Sequence, residues 1–332
     1  MIEDLIALCK TKKNIYIQTH NYPDVDAISS AFGLQFVLGC YDITTKIIYV
    51  GNIDRISAEK LVNLYNIPIE KHNGVFEDTD NIICIDCQKG ENNVTQQGGN
   101  VFACIDHHPR NLRYDYEYQH IELAGACATL IANYIRLLRI DDIPQYITTS
   151  LLYGLKMDTL QFTRNVTSFD IYMYQYLFDR TETYQLHYLE TSNLTLSDLR
   201  AFGSAIQHIN ILEEMGISYV PFDCPDGLVA SLSEFMLGID ELKIAIVFSI
   251  RKNGIKISVR SILPNIHAGV FIKQALKGIG DGGGHSMFAG GFIPKQEVKK
   301  FNNKELYEFV SQRFLTSLRE LSQSDLNNGN VE

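Results

Sequence analysis

One alternation constrains the fold more than any other feature of the sequence. In the first half of the chain, short apolar runs alternate with helix-length segments: NIYIQTH (14–20), TKIIYV (45–50), NIICID (81–86) and VFACID (101–106) read as strands. Between and after them, DAISSAFGLQFVLGCY (26–41), SAEKLVNLYN (57–66) and AGACATLIANYIRLLR (124–139) read as helices. Strands that are apolar almost throughout, rather than at every second position, are buried on both faces. Parallel strands need crossover helices, and this alternation supplies them. The expectation is an α/β protein whose N-terminal domain is a doubly wound parallel sheet.

The pattern changes further along. Residues 145–190 are mostly helical, the segment near 191–215 is a more polar helical connector, and β-like runs return in ISYVPF, LKIAIVFSI and GIKISVRSI. A helix at HAGVFIKQALKG (267–278) precedes a glycine-rich stretch. A length of 332 residues suits two domains on a prior of about 150 residues each. The expected division is 1–190, a helical linker at 191–211, and a smaller C-terminal α/β domain at 212–332, with the active site in the cleft between the domains. The closing SDLNNGNVE is polar and expected to fray.

Three of the strand-like runs end in metal-ligand residue types. The first ends at His20 and continues into Asp24 and Asp26, the third ends at Asp86, and the fourth ends at Asp106 followed by His107 and His108. In open α/β sheets, ligands bind at the carboxyl ends of the strands. One such end means little, because Asp often follows strands and caps helices, and Asp26 alone reads as the N-cap of a helix starting at Ala27. Three independent ends are much harder to explain as turns. Asp158, in YGLKMDTLQFTRN, adds an acid within an apolar stretch. A buried acid needs a partner or a metal; the bland reading is a local hydrogen bond. His20, Asp24, Asp26, Asp86, His107 and Asp158 supply four carboxylates and two imidazoles. That set is rich for one ion and suits two sharing a carboxylate. Oxygen ligands with some imidazole favour Mn²⁺, with Mg²⁺ or Fe²⁺ as alternatives. Two ions about 3.5–4 Å apart suit phosphate-ester hydrolysis through an activated hydroxide.

Charge and cysteine usage narrow the function classes. A net charge of −10 argues against coating long nucleic acid through a broad basic face. It does not oppose a small phosphorylated substrate, because bound cations can supply positive charge. The seven cysteines sit mainly in apolar runs, where they act as small hydrophobes. The first residues lack a basic region followed by a long apolar stretch, and no run is long enough to span a membrane. The expectation is a cytoplasmic protein without membrane association.

In order and spacing, HNYPDVDAISS, the strand-end Asp86, the triplet Asp106-His107-His108 and Asp158 in GLKMDT resemble the four motifs of the DHH phosphoesterase superfamily. That group includes RecJ exonucleases, family II pyrophosphatases, exopolyphosphatases and nanoRNases. The distal GGGHSMFAGGF (282–292) resembles the glycine-rich signature of the DHH-associated C-terminal domain, so the likeness spans roughly residues 14–292. The resemblance implies one metal held by His20, Asp24 and Asp86, and another by Asp26, Asp86, His107 and Asp158. Asp86 is then the bridge, His108 lies near the substrate phosphate, and Asp106 orients the imidazoles. One departure is Val25, where the family usually has Gly between the two aspartates of the first motif.

The second domain would hold the substrate. Gly283 and Gly284 let backbone approach a ligand, His285 can donate to phosphate, and Arg260 in ISVRS can pair with a phosphate or a terminal group. The bland reading of Arg260 is a surface salt bridge. Residues 278–283 fit G-x-G-x-x-G, but they follow a helix-like run, whereas a dinucleotide fingerprint follows a strand. Cys84 and Cys87 have C-x-x-C spacing without the second pair that structural zinc requires. They read as core and near-site residues. YMYQYLF (172–178) reads as core rather than a base-stacking platform. Arg110 has no assigned role.

The resulting expectation is a metal-dependent hydrolase of short oligonucleotides, nanoRNase-like, or of small nucleotides such as 3′-phosphoadenosine 5′-phosphate. The alternatives are an exopolyphosphatase or pyrophosphatase-like hydrolase, and a catalytically silent nucleotide-binding protein. A homodimer is compatible with the sequence.

Overall fold

The computed structural model describes residues 2–95, 98–110, 113–191 and 194–328, with side chains to Leu321. The chain divides into two compact units, Met1–Asn193 and Leu194–Glu332.

The first unit runs α1 (Ile2–Cys9), β1 (Ile15–Gln18), α2 (Val25–Gly39), β2 (Thr45–Tyr49), α3 (Ile56–Tyr65), β3 (Ile69–Lys71), β4 (Phe76–Ile85), β5 (Gly98–Asp106), β6 (Tyr118–Ile121), α4 (Cys127–Leu137), α5 (Gln145–Asp158), α6 (Ser168–Phe178) and α7 (Thr183–Glu190). Its six strands form one sheet in the order β3-β2-β1-β4-β5-β6. Every pairing is parallel. The chain builds outward from β1 to β3, returns beside β1 as β4, and builds the other way. The direction therefore switches between β1 and β4, where an open α/β sheet leaves a crevice at its carboxyl edge.

Both sheet faces are buried, as the apolar runs require. Ile17, Ile47, Ile83 and Ile105 face a core built with all seven helices of the unit. Ile48, Ile82, Cys84, Val101 and Cys104 face the other way, into a smaller cluster with Phe76, Cys87, Val94 and Tyr116 that contains no helical residue. Phe102 is an extra residue in β5: Val101 pairs with Ile82 and Ala103 with Ile83, so Phe102 turns to the helical side. Helix α2 is buried over much of its length, and α5 packs against it at Gly154. A Cβ on Gly154 would collide with Ser29 Oγ and lie 3.2 Å from Asp26 Oδ1, so the close approach requires glycine there. YMYQYLF is only partly core: Met173 and Leu177 are buried, whereas Tyr172 and Phe178 are exposed and Tyr172 lies under the Arg136 guanidinium.

The second unit runs α8 (Leu196–Gln207), β7 (Asn210–Leu212), β8 (Met215–Val220), α9 (Asp226–Leu237), β9 (Ile244–Arg251), β10 (Gly254–Ser261), α10 (Ala268–Ala275), β11 (Asp281–Gly284), β12 (Phe288–Pro294), α11 (Lys295–Val298) and α12 (Asn303–Asn328). Its sheet has the order β11-β12-β10-β9-β8-β7. It is antiparallel except for the β8–β9 pair. Helices α10 and α12 cover one face, and α8 and α9 the other. The segment read as a connector thus carries α8, whose Ala201 and Ala205 are buried against Val229 and Leu232. The glycine-rich stretch is a hairpin in which Gly283 pairs with Gly290. The G-x-G-x-x-G match follows helix α10 and ends in edge strand β11, so the strand–turn–helix context of a dinucleotide site is absent. The polar tail is helical to Asn328, and residues 329–332 lie outside the described residues.

Candidate metal centre

The carboxyl ends of β1 and β4 flank the switch point, and the end of β5 lies next to β4. After β1 the chain passes through His20 and starts α2 at Val25, with Asp24 as N-cap. Asp24 Oδ1 accepts from the backbone N–H of Asp26 at 3.1 Å and of Ala27 at 3.2 Å. The cap is therefore Asp24, and Asp26 is free of that duty. Val25 enters the helix as a buried apolar residue, so the first turn accepts a β-branched side chain in place of glycine.

Asp26 reaches across to the start of α4. Its Oδ2 accepts from Cys127 N–H at 2.6 Å and its Oδ1 from Ala128 N–H at 2.9 Å. Helix α4 has Ala126 at its N-cap position and so lacks a cap side chain of its own. A carboxylate at exposed helix N–H groups is favourable, and this contact fixes Asp26.

Asp86, at the end of β4, sits at φ 57°, a left-handed conformation held by its N–H bond to Ile105 O at 2.9 Å. Such backbone costs on the order of 1 kcal/mol for an Asp and clusters at functional sites. It places the carboxylate between two histidines. His20 Nε2 is 3.6 Å from Asp86 Oδ2, and His107 Nε2 is 3.3 Å from Asp86 Oδ1. Each histidine is oriented from behind: His20 Nδ1 donates to Asn21 O at 2.8 Å and His107 Nδ1 to Ala124 O at 2.9 Å. Carbonyls only accept, so Nδ1 carries the proton and Nε2 points into the site.

Asp158 ends α5, with Oδ2 3.3 Å from His107 Nε2. Its Oδ1 accepts from Arg164 Nη2 at 2.9 Å, and Arg164 also donates to the Asp158 carbonyl at 2.6 Å. Arg164 reaches back because Leu160, Gln161 and Phe162 all adopt positive φ, of 47°, 55° and 64°. Asp106 is fully buried and accepts from His108 Nδ1 at 2.9 Å and from Gln88 Nε2 at 2.7 Å, while the His108 side chain is half-exposed.

Among the described residues, three overlapping groups of potential ligand atoms result: His20, Asp24 and Asp86; Asp26, His107 and Asp158; and Asp86, His107 and His108. Asp86 lies in the first and last, and its Oδ1 faces the second through His107. The electrostatics are those of acids crowded out of water. Burial, then Asp86, Asp158 and Asp24, push Asp26 well above the usual carboxylate range, with His107 opposing. Burial, then Asp24 and Asp86, raise Asp158 to about 6 against His107 and Arg164. Burial disfavours the charged histidines, yet Asp24 and Asp86 raise His20 to about 9, and Asp86 and Asp26 raise His107 to about 11. For Asp24 burial acts upward, but His20 and Arg55 outweigh it and hold the carboxyl low.

The donor set fits divalent cations. Asp86 Oδ1 and His107 Nε2 are buried, face each other, and lack a hydrogen-bond partner among the described residues. Buried polar atoms are rarely left so. An ion between them would satisfy both and offset the carboxylate repulsion.

In the second unit, Arg260 on β10 is the Cα partner of Phe288 on β12, and its guanidinium lies 5.6 Å from that ring. The centroid of the His285 ring also lies 4.8 Å from that of Phe288. Arg260 Nε donates to Glu234 Oε2 at 2.7 Å, so the salt-bridge reading holds in this structure. Gly284 has φ 153°, and a Cβ there would lie 2.5 Å from Phe288 O; Gly283 faces open space. Arg110 donates to Tyr114 O at 3.2 Å.

Sequence reasoning missed Gln88, Arg164 and Glu234. Only Gln88 had an available signal, as a polar residue just after the strand-end Asp86.

Residues 14–155 match the family described as DHH family, N-terminal domain, and residues 213–312 match the DHHA1 domain. A curated relative, uncharacterized protein MJ1633 of Methanocaldococcus jannaschii, is 24% identical over 296 residues, 89% of this chain and 61% of that protein. The chain thus spans about three fifths of the curated relative it matches. Among solved structures, an exopolyphosphatase-related protein from Bacteroides fragilis superposes with a TM-score of 0.70 at 19% identity, covering 97% of each chain. The exonuclease RecJ bound to manganese gives a TM-score of 0.51 at 14% identity, covering 96% of this chain and 94% of that one. At these identities the structural likeness establishes the fold.

Proposed function

The chain belongs to the DHH superfamily of phosphoesterases, and from that premise we propose that it hydrolyses short oligonucleotides or small phosphorylated nucleotides with two divalent ions, Mn²⁺ foremost. The observation that carries this reading is Asp86, shared between groups whose unpaired buried atoms face each other. His20, Asp24 and Asp86 would hold one ion, and Asp26, Asp86, His107 and Asp158 the other. Bound there, the ions supply Lewis-acid charge to a phosphoryl oxygen and acidify an attacking water.

The chain's own residues do the rest. His108, half-exposed beside the ligands, donates to a non-bridging phosphate oxygen. Asp106 holds its ring. Arg260 and His285 bind a second phosphate or a terminal group of the substrate, with Gly283 and Gly284 leaving room for it. A water oxygen bonds to phosphorus, the ester P–O bond breaks, and the leaving oxygen takes a proton.

Short substrates are favoured by the net charge of −10, which opposes long polyanions. The exonuclease neighbour supports nucleotide chemistry, and the exopolyphosphatase-related neighbour keeps polyphosphate as the rival. No described helix is long and apolar enough to cross a membrane. No disulfide joins the seven cysteines, which suits a cytoplasmic setting.

The test is a substrate screen on purified protein with Mn²⁺ or Mg²⁺, using di- to pentanucleotides, 3′-phosphoadenosine 5′-phosphate and polyphosphate. Turnover of the first two, and loss of it in Asp86→Ala, is expected. Preference for polyphosphate would move the reading to the rival. No turnover of any substrate would end the hydrolase proposal.

A further inference from the structure

The end of β4 carries a buried polar side chain for which the metal ligands leave no task. Gln88 is 2% exposed and lies two residues after Asp86. Its Nε2 donates to Asp106 Oδ2 at 2.7 Å and to the Pro109 carbonyl at 3.3 Å. The two acceptors bracket His107 and His108. Asp106 Oδ1 in turn accepts from His108 Nδ1 at 2.9 Å and from the His108 backbone N–H at 3.3 Å.

We propose that Gln88 is a positioning residue for His108, acting through the Asp106 carboxylate. A carboxylate has two equivalent oxygens and can rotate about its Cβ–Cγ bond. With Oδ2 held by Gln88, only Oδ1 is presented to His108. The carboxylate accepts, so Nδ1 carries the proton, and Nε2 is left to face outward. A second bond to Pro109 fixes the turn just past the ring. An amide is the side chain type suited to this place: it donates without adding charge beside Asp106, whereas Glu would oppose the carboxylate and Met would donate nothing. Because Gln88 and Asp86 share one strand end, the shared ligand and the His108 ring are set by the same piece of backbone. Such outer partners tune the groups they hold.

The inference rests on the reading of His108 as a phosphate contact, and the test separates the two. Full-length wild type, Gln88→Met, His108→Ala and the double variant are compared with Mn²⁺ and a dinucleotide, with thermal unfolding recorded for each. Gln88→Met keeps the length and removes the donor. It is expected to lower kcat by about 10-fold in the wild-type background and to cause no further loss in the His108→Ala background. An equal factor in both backgrounds, or no loss in either, overturns the proposal.

A second readout needs no turnover. In ¹⁵N-histidine-labelled, metal-free protein, at a pH alkaline enough to keep the ring neutral, the His108 ring, assigned by its loss in His108→Ala, should show a single Nδ1–H tautomer. Gln88→Met should convert it to a mixture, and an unchanged ring spectrum overturns the proposal. If His108→Ala turns over like wild type, the phosphate-contact reading fails, while the ring spectrum still decides whether Gln88 orients it.

Discussion

The strand ends of the first unit and the glycine-rich hairpin of the second are built on opposite plans. At the strand ends, Asp26, Asp86, Asp106 and His107 are buried. Three of these side chains are held by backbone groups or by a buried neighbour: Asp26 by Cys127 and Ala128 N–H, His107 by Ala124 O, and Asp106 by Gln88. At the hairpin, His285 is exposed and Gly283 faces open space, and the cation of the group, Arg260, is tied to an exposed glutamate. The first arrangement is fixed by hydrogen bonds within the fold, whereas the second is open to solvent. Chemistry needs preorganised charge, and selectivity among substrate ends tolerates adjustment.

The largest expected effect breaks the rigid side. Asp86→Asn keeps the size of the side chain and removes the shared charge. Turnover should fall to background, and Mn²⁺, which is expected to raise the unfolding temperature of wild type, should no longer do so in the variant. Retained metal stabilisation would mean that the two ligand groups do not depend on Asp86.

A second prediction uses the crowding of carboxylates. Asp158 is raised from 3.8 to about 6 by burial first, then by Asp24 and Asp86. A carboxyl whose folded value is raised binds its proton more tightly when folded. The metal-free protein therefore incurs no penalty from it well below pH 4. The penalty grows as pH rises from 4 to 6, and is complete above. Asp158→Asn removes this contribution. In metal-free protein, the variant should gain on wild type across that window, by up to about 3 kcal/mol. Saturating Mn²⁺ should reverse the order. Denaturant unfolding at pH 4 and pH 7, with and without metal, reads both signs. A constant difference between the two pH values would show that Arg164 neutralises Asp158 fully.

On the adjustable side the effects are smaller and fall on binding. Arg260→Ala should raise KM by about 10-fold, the value of one charge-assisted bond, and leave kcat within about twofold. Glu234→Gln should do the opposite and lower KM by about twofold, because it releases Arg260 from an exposed ion pair. A rise in KM for Glu234→Gln would show that the glutamate aims the guanidinium. A large loss of kcat in Arg260→Ala would break the division between the two regions.

Much of the first region was legible in the sequence. The near-continuous apolar runs announced strands buried on both faces, and the residues closing them fell at one sheet edge because parallel strands share a direction. His20, Asp24, Asp26, Asp86 and His107 could be read for that reason. The partners were not legible. Gln88 meets Asp106 across 18 positions and Arg260 meets Glu234 across 26, and neither separation has a periodicity behind it. The N-cap fell on Asp24 because α2 begins at Val25, two residues earlier than the Ala27 start. Short edge strands such as β3 and β6 escaped because three or four half-exposed residues carry no pattern. The reading of YMYQYLF as core holds only in part because aromatic residues surround α6: Met173 and Leu177 are buried and Tyr174 and Tyr176 pack partly against the core, but Tyr172 and Phe178 face solvent.

The turn after Asp158 was hidden for a further reason. Leu160, Gln161 and Phe162 are not residues that advertise a left-handed backbone, yet all three adopt it. Each such residue costs roughly 1–2 kcal/mol relative to right-handed backbone. Leu160 is 45% exposed, so little packing offsets its share. Leu160→Gly removes the steric cost and adds about 0.4–1 kcal/mol of unfolded-state entropy against it. The balance favours the variant by about 1 kcal/mol, measurable as a rise of about 2–4 °C in unfolding temperature. Turnover should be unchanged, because Arg164 still holds Asp158 from the far side of the turn. A stabilised but slower variant would show instead that the stiffness of this backbone keeps Asp158 in place. The preorganised region would then extend past the ligands into the turn that follows them.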